Sequence, residues 1–171
     1  MALKKSYHNL IIVSGSPATG KSTVTKLLIK KLSLVHLDWH DLLKKDKKLS
    51  LGYDRKKKCY DLDTIYLEKV IEKILRENSD KQYIFDSHIA HFLPKMMVKL
   101  AIIVTCSDLK KLRKRLEERK YSKNKVEENL QCEIFEVCLE EAKSSGHNVV
   151  VFDSGKRIVQ KDVVSAVKKV L

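Results

Sequence analysis

Three groups of side chains in this sequence have the types and spacing for phosphate chemistry. The first is Gly15-x-x-x-x-Gly20-Lys21-Ser22, followed by Thr23. Two glycines at that separation permit backbone angles closed to other residues, so successive N–H groups, including those of Ala18 and Thr19, can converge on phosphate oxygens at the positive end of a helix. Lys21 then reaches the β- and γ-phosphates of ATP, and the Ser22 hydroxyl becomes a ligand for Mg²⁺. The competing account is a lysine-rich helix that happens to follow a glycine turn. The second group is Asp86-Ser-His88, where an apolar run ends on a carboxylate suited to holding Mg²⁺ with Ser22. His88, two residues on, fits a water-positioning or charge-sensing role, with helix capping or packing as its alternative. The third is Arg115 and Arg119, four apart and on one helix face. Their guanidinium groups suit the equatorial oxygens of a transferring phosphoryl group, Arg119 acting on ATP and Arg115 supporting the phosphates. A surface salt-bridge face with Glu117 and Glu118 is the other reading of that pair.

These side chains need elements to position them. Asn9 to Val13 reads as a buried strand, and Val24, Leu27 and Leu28 have helical spacing, so the glycine loop lies between a strand and a helix running from about Gly20 to Leu32. Leu34 to Asp38 alternates as a short strand, a basic helix covers about His40 to Lys48, and Leu51-Gly-Tyr-Asp-Arg55 signals a turn. Ile65, Leu67, Val70, Ile71, Ile74 and Leu75 mark an amphipathic helix that begins at Asp61 or Asp63 and ends near Asn78. Strands follow at Gln82 to Asp86, Leu100 to Thr105 and Asn148 to Phe152. Helices cover Leu109, Leu112 and Leu116 after a Ser107-Asp108 cap, then Val126 to Ser144 in one piece, then Lys161 to Leu171. Strands alternating with helices at this spacing predict right-handed βαβ units, hence a three-layer α/β sandwich around a five-stranded parallel sheet. Ligands of such sheets bind at the carboxyl ends of the strands, so Gly15, Asp86 and Thr105 should border one cleft.

A chain of 171 residues with 43% hydrophobic content supports one domain, residues 1–171, with a sizeable core. No apolar run approaches the roughly 20 residues that span a bilayer, and Met1-Ala-Leu-Lys-Lys5 lacks the apolar core of a signal peptide. An intracellular protein without membrane contact is expected. Cys59, Cys106, Cys132 and Cys138 form no C-x-x-C pair and read as reduced thiols. His36, His40 and His147 have no metal-ligand spacing and read as structural, while His91 and Pro94 carry little information. The net charge of +13 fits anionic substrates and contact with RNA, although lysines such as Lys30, Lys31, Lys44, Lys45, Lys47, Lys48 and Lys56 to Lys58 also read as solvated faces.

Several of these motifs occur together and in order. Gly15-Ser-Pro-Ala-Thr-Gly-Lys-Ser-Thr23, Gly52-Tyr-Asp with Cys59-Tyr-Asp-Leu-Asp63, Phe85-Asp-Ser-His88 with His91-Phe-Leu-Pro94, Arg115-Leu-Glu-Glu-Arg119-Lys-Tyr121 and Glu128-Asn-Leu-Gln-Cys-Glu-Ile-Phe135 resemble the adenylate kinase isoenzyme 6 family and its archaeal counterparts. The resemblance implies a P-loop nucleoside monophosphate kinase fold, a monophosphate-binding segment at 38–61 and a short lid at 121–130. It also implies phosphoryl transfer from ATP to AMP or another nucleoside monophosphate, ATPase activity, and a role in maturation of the small ribosomal subunit. The implied partners are a small-subunit platform ribosomal protein and, transiently, pre-ribosomal RNA. Two positions depart from the family pattern: Ala18 replaces a loop glycine, and Lys120 replaces the glycine of the Arg-Gly-Tyr lid motif. Phe152-Asp-Ser-Gly155 and the Ser87-His-Ile-Ala-His91 loop resemble archaeal members, which implies a cytoplasmic location, nuclear if the source is eukaryotic.

Overall fold

The computed structural model describes residues 9–54 and 59–171. Expectations placed on Met1 to Lys5, on Arg55, on Lys56 to Lys58 and on the side chain of Cys59 lie outside the described residues. Leu10–Ser14 forms β1, and every one of its residues is fully buried. Its alternation serves two faces at once. Leu10 and Ile12 pack with Phe85 and with Leu67, Ile71 and Leu75 of α3 (Thr64–Glu77), while Ile11 and Val13 pack with Val24 and Leu28 of α1 (Lys21–Leu32) and Val163 and Val167 of α7 (Gln160–Lys168). Each such buried side chain contributes about 1.5–3 kcal/mol, so both layers are anchored on the strand that leads into the glycine loop.

Around β1 stand β2 (Val35–Leu37), β5 (Tyr83–Asp86), β6 (Val98–Thr105) and β7 (Val149–Asp153), in the order β2-β5-β1-β6-β7, with all pairs parallel. The five-stranded parallel sheet and three-layer architecture match the expectation. β1 sits between strands reached by crossovers in opposite directions, the position at which an α/β sheet opens a crevice at its carboxyl edge. No helix of the described residues is long and apolar enough to cross a membrane.

Three local expectations are corrected. The basic helix α2 covers only Trp39–Lys45, because the Asp46 side chain accepts from Lys48 N–H at 3.0 Å and from the Tyr66 hydroxyl at 2.7 Å, starting a separate 3₁₀ turn. The turn signal near Gly52 belongs to a second, two-stranded antiparallel sheet of β3 (Ser50–Asp54) and β4 (Cys59–Leu62), where Tyr53 and Tyr60 pair edge to face at 5.1 Å. The expected helix from Val126 to Ser144 is two helices, α5 (Lys123–Ile134) and α6 (Val137–Ser144), broken where Glu136 adopts φ 49°. The break lets α5 turn Val126 and Leu130 onto α4 (Leu109–Glu118) while α6 turns Leu139 and Ala142 onto Ile103.

Candidate active site

The glycine loop is shaped by its neighbours as much as by its own residues. Gly15 has φ +139°, and a Cβ there would lie 2.2 Å from the Val104 carbonyl oxygen of β6, so no side chain fits. Gly20, at φ +106°, caps α1 and turns the first helical N–H groups toward the loop. Thr19, fully buried, donates its hydroxyl to the Ser16 carbonyl at 2.9 Å. Ala18, where the resemblance implies a glycine, sits at φ +66°, a left-handed position, and its methyl group packs with Leu112 and Leu116.

Lys21 donates to the Gly15 and Ser16 carbonyls, both at 2.8 Å, which folds the ammonium over the loop where phosphate oxygens would lie. Burial pushes its pKa down to about 8, and such a partly desolvated cation gains most from an arriving anion. Ser22 donates to Asp86 Oδ2 at 3.4 Å, so the start of α1 and the end of β5 meet as the sequence predicts. The other Asp86 oxygen is taken by His36 Nε2 at 2.6 Å. His36, read from the sequence as structural, is therefore a member of the site. It pairs in register with Ile84 on the adjacent strand, two residues before Asp86 on the same face. Its signal was the β2-β5 adjacency, which becomes visible only once the strand order is known.

His88 lies with Ser16, Pro17, Tyr121 and Asn129 around a cavity of about 570 Å³ between the loop and α5. It makes no hydrogen bond among the described residues. Its side chain is exposed at the cavity edge, and desolvation by neighbouring protein atoms, then the charge of Lys21, lowers its pKa. Cys138 borders the same cavity, and burial pushes its thiol up to about 11, which leaves it protonated and unreactive. Cys106, Cys132 and Cys138 are free thiols, as expected.

His91 has a larger part than the sequence suggested. It is buried, with Nδ1 2.7 Å from the Ser14 hydroxyl and Nε2 2.8 Å from Glu141 Oε2. With Nε2–H donating to the carboxylate, Nδ1 accepts the Ser14 proton, and the last residue of β1 is tied to α6 through the loop that follows Asp86. His147 Nε2 donates to the His91 carbonyl at 3.0 Å, and His40 joins the Asp38 cap of α2, so those two are structural as read.

Arg115 reaches the loop from α4. Its Nη1 donates to the Ala18 carbonyl at 3.4 Å and to Ser154 Oγ at 3.0 Å. Arg119, the C-cap of α4, is exposed and close enough to Lys21 for its charge to lower that pKa. Neither arginine is paired with Glu117 or Glu118 among the described residues. The ion pair that α4 does make is Arg113 with Glu127, on another face of the helix, which clamps α4 to α5 with contacts of 2.5 and 3.1 Å. Asp153, which sequence reasoning noted only within Phe152-Asp-Ser-Gly155 and gave no role, has a carboxylate that accepts from Ser107 N–H, Ser107 Oγ and Gly155 N–H at 2.6–2.8 Å. That network fixes the 153–155 turn, to which Lys111 donates at the Ser154 carbonyl (3.0 Å). Together α1, α4 and this turn wall a second cavity, of about 600 Å³, on the Gly20 side of the loop.

A glycine loop at the head of a parallel sheet, with a lysine, a hydroxyl, a carboxylate and an arginine converging on it, defines a P-loop kinase. The fold agrees: the shikimate kinase of Acinetobacter baumannii superposes with a TM-score of 0.57 at 12% identity, over 96% of this chain and 93% of that one. A family model described as an AAA domain matches residues 11–136. The adenylate kinase isoenzyme 6 homolog of Dictyostelium discoideum is 30% identical over 153 residues, 90% of this chain and 84% of the relative. The homolog of Saccharomyces cerevisiae is 31% identical over 169 residues, 98% of this chain and 82% of the relative. The chain belongs to the adenylate kinase isoenzyme 6 family.

Proposed function

We propose that the protein is a nucleoside monophosphate kinase that transfers the γ-phosphoryl group of ATP to AMP or a related monophosphate, and that it also hydrolyses ATP. The observation that carries this reading is the convergence of Lys21, Ser22, Asp86 and Arg115 on one loop that has a cavity on each side. ATP phosphates replace the Gly15 and Ser16 carbonyls as partners of Lys21, and the nucleoside leaves past Gly20 and Thr23. The 38–61 segment holds the acceptor, and 121–130 closes as a short lid carrying Arg119. Arg115 and Arg119 balance charge on the transferring group.

Ser22 Oγ and Asp86 Oδ2 offer Mg²⁺ a hydroxyl and a carboxylate, the hard oxygen donors it prefers. Among the described residues no three His, Cys, Asp or Glu side chains form a metal cage. That pattern suits an ion held by one or two protein oxygens plus phosphates and water. Bound there, the ion would neutralise charge on the phosphates during transfer. His36 orients the carboxylate.

The second reading is an ATPase that acts on a small-subunit platform ribosomal protein in the cytoplasm, with transient contact to pre-ribosomal RNA. The observation favouring it is His88, its pKa lowered and without a hydrogen-bond partner among the described residues, beside the loop. A side chain so placed suits a water aimed at the γ-phosphate, and the net charge of +13 suits ribosomal material. ATP consumption measured with and without AMP separates the two. Strong stimulation by AMP with stoichiometric ADP supports the kinase, whereas consumption indifferent to AMP supports the ATPase and overturns the first reading.

A further inference from the structure

The cavity on the Gly20 side carries more charge than a nucleoside can use. Lys26, Lys30 and Lys31 of α1 line it together with Lys111, Arg115 and Lys156 from the opposite wall. No carboxylate and no aromatic ring is among its lining residues. Lys111 is occupied with the Ser154 carbonyl and Arg115 with Ser154 Oγ, while Lys156 lies 3.9 Å from Asp153. Lys26, Lys30 and Lys31 have no side-chain partner among the described residues, and α1 contains no acid that could pair with them. Adenosine is uncharged, so the part of ATP that leaves the loop neutralises none of these cations. From Thr23 to Lys30 the helix rises about 10 Å, so these cations extend well past the loop.

We propose that this groove binds inorganic polyphosphate, with the terminal phosphoryl group at Lys21 and the chain running along α1 toward Lys30 and Lys31, and that polyphosphate serves as an alternative phosphoryl donor. The proposal rests on the reading of the loop as the donor site. A linear polyanion matches a groove whose lining selects for charge. Single-stranded nucleic acid is the weaker match, because its binding sites stack bases on aromatic rings and this groove has none. In the reaction, an oxygen of the AMP phosphate attacks the terminal phosphorus of the chain. One P–O bond forms to that oxygen, the bridging P–O bond to the next phosphorus breaks, and ADP leaves with a polyphosphate one phosphoryl shorter. The bridging oxygen keeps the electron pair, and no oxidant or reductant is involved.

The test measures ADP formed from AMP and Mg²⁺ by the full chain with three donors: ATP, tripolyphosphate, and a long polyphosphate of defined length. The long chain is expected to support ADP formation far better than tripolyphosphate, whose three phosphoryl groups end at the loop. The double variant Lys30→Glu/Lys31→Glu should lower kcat/KM for the long chain by about tenfold or more, since two reversed charges act on a polyanion, and should lower kcat/KM for ATP far less, since the adenosine that shares the cavity is uncharged. Lys21→Ala should remove both reactions. Activity with ATP but none with polyphosphate overturns the proposal and leaves the kinase reading standing. Inactivity with every donor overturns both. Polyphosphate turnover that survives the double charge reversal, or survives Lys21→Ala, also overturns it. RNA that competes with ATP through Lys30 and Lys31 while polyphosphate is inert would assign the groove to nucleic acid instead.

Discussion

Replacing Lys120 by glycine should stabilise the protein without lowering its activity. Lys120 follows the α4 C-cap Arg119 and has φ +57°, with its N–H donating to Glu117 O at 2.8 Å while Tyr121 N–H reaches Leu116 O at 3.4 Å. These two bonds form a Schellman motif, in which the residue at Lys120 must be left-handed and is most often glycine. Tyr121 packs with Leu116, supplying the apolar contact that accompanies the motif. The resemblance implies a glycine at this position, and a lysine in the same conformation carries about 1–2 kcal/mol of strain. Its side chain is exposed, so no burial is lost on removal. Glycine adds freedom to the unfolded chain worth about 0.4–1 kcal/mol in the opposite direction. The net gain is about 0.5–1 kcal/mol, which for a chain of this size raises Tm by about 1–4 °C. Thermal melting of wild type, Lys120→Gly and Lys120→Ala would read it, with alanine, still left-handed, showing no comparable gain. Ala18→Gly is the contrast: it relieves the same strain at φ +66° but removes a buried methyl from the Leu112 and Leu116 cluster, so its net change should be near zero. A Lys120→Gly protein that melts below wild type would refute the strain argument.

Three further variants probe the chemistry. Lys21→Ala should abolish kinase and ATPase turnover while the fold survives, because loop N–H groups cannot replace a cation on the β,γ-phosphates; near-native turnover in a folded variant would exclude the loop as donor site. His36→Ala frees one Asp86 oxygen now held at 2.6 Å, and should raise the Mg²⁺ concentration for half-maximal rate by about tenfold, with an unchanged Mg²⁺ requirement as the contrary result. His88→Ala should lower ATP hydrolysis more than AMP phosphorylation, since only hydrolysis needs a water to be placed; equal losses, or a larger loss of kinase activity, would return His88 to a packing role.

The parts of the site readable in the sequence share one property: their signals are local. Gly15, Gly20, Lys21 and Ser22 lie within eight consecutive positions, and Asp86 ends an apolar run, so motif and strand could be recognised together. Arg115 was placed by helical spacing alone. What stayed hidden depends on which elements become neighbours. His36 meets Asp86 only because β2 packs beside β5, and Asp153 meets Ser107 only because β7 ends beside β6. His91 was unremarkable until burial joined Ser14 and Glu141 through its ring. The β3-β4 hairpin was missed because its alternation, Leu51 and Tyr53 against Tyr60 and Leu62, is short and interrupted by lysines. The break at Glu136 was missed because Val126 to Ser144 contains neither glycine nor proline, the residues that ordinarily announce one.

Phosphoryl transfer to a monophosphate is tested most directly by following the phosphoryl group itself. ATP labelled in its γ-phosphate is incubated with AMP, Mg²⁺ and the protein, and the label is traced among the products. The account predicts label in the β-phosphate of ADP made from AMP, lost in Lys21→Ala. Label recovered only as inorganic phosphate, in the presence of AMP, would contradict it.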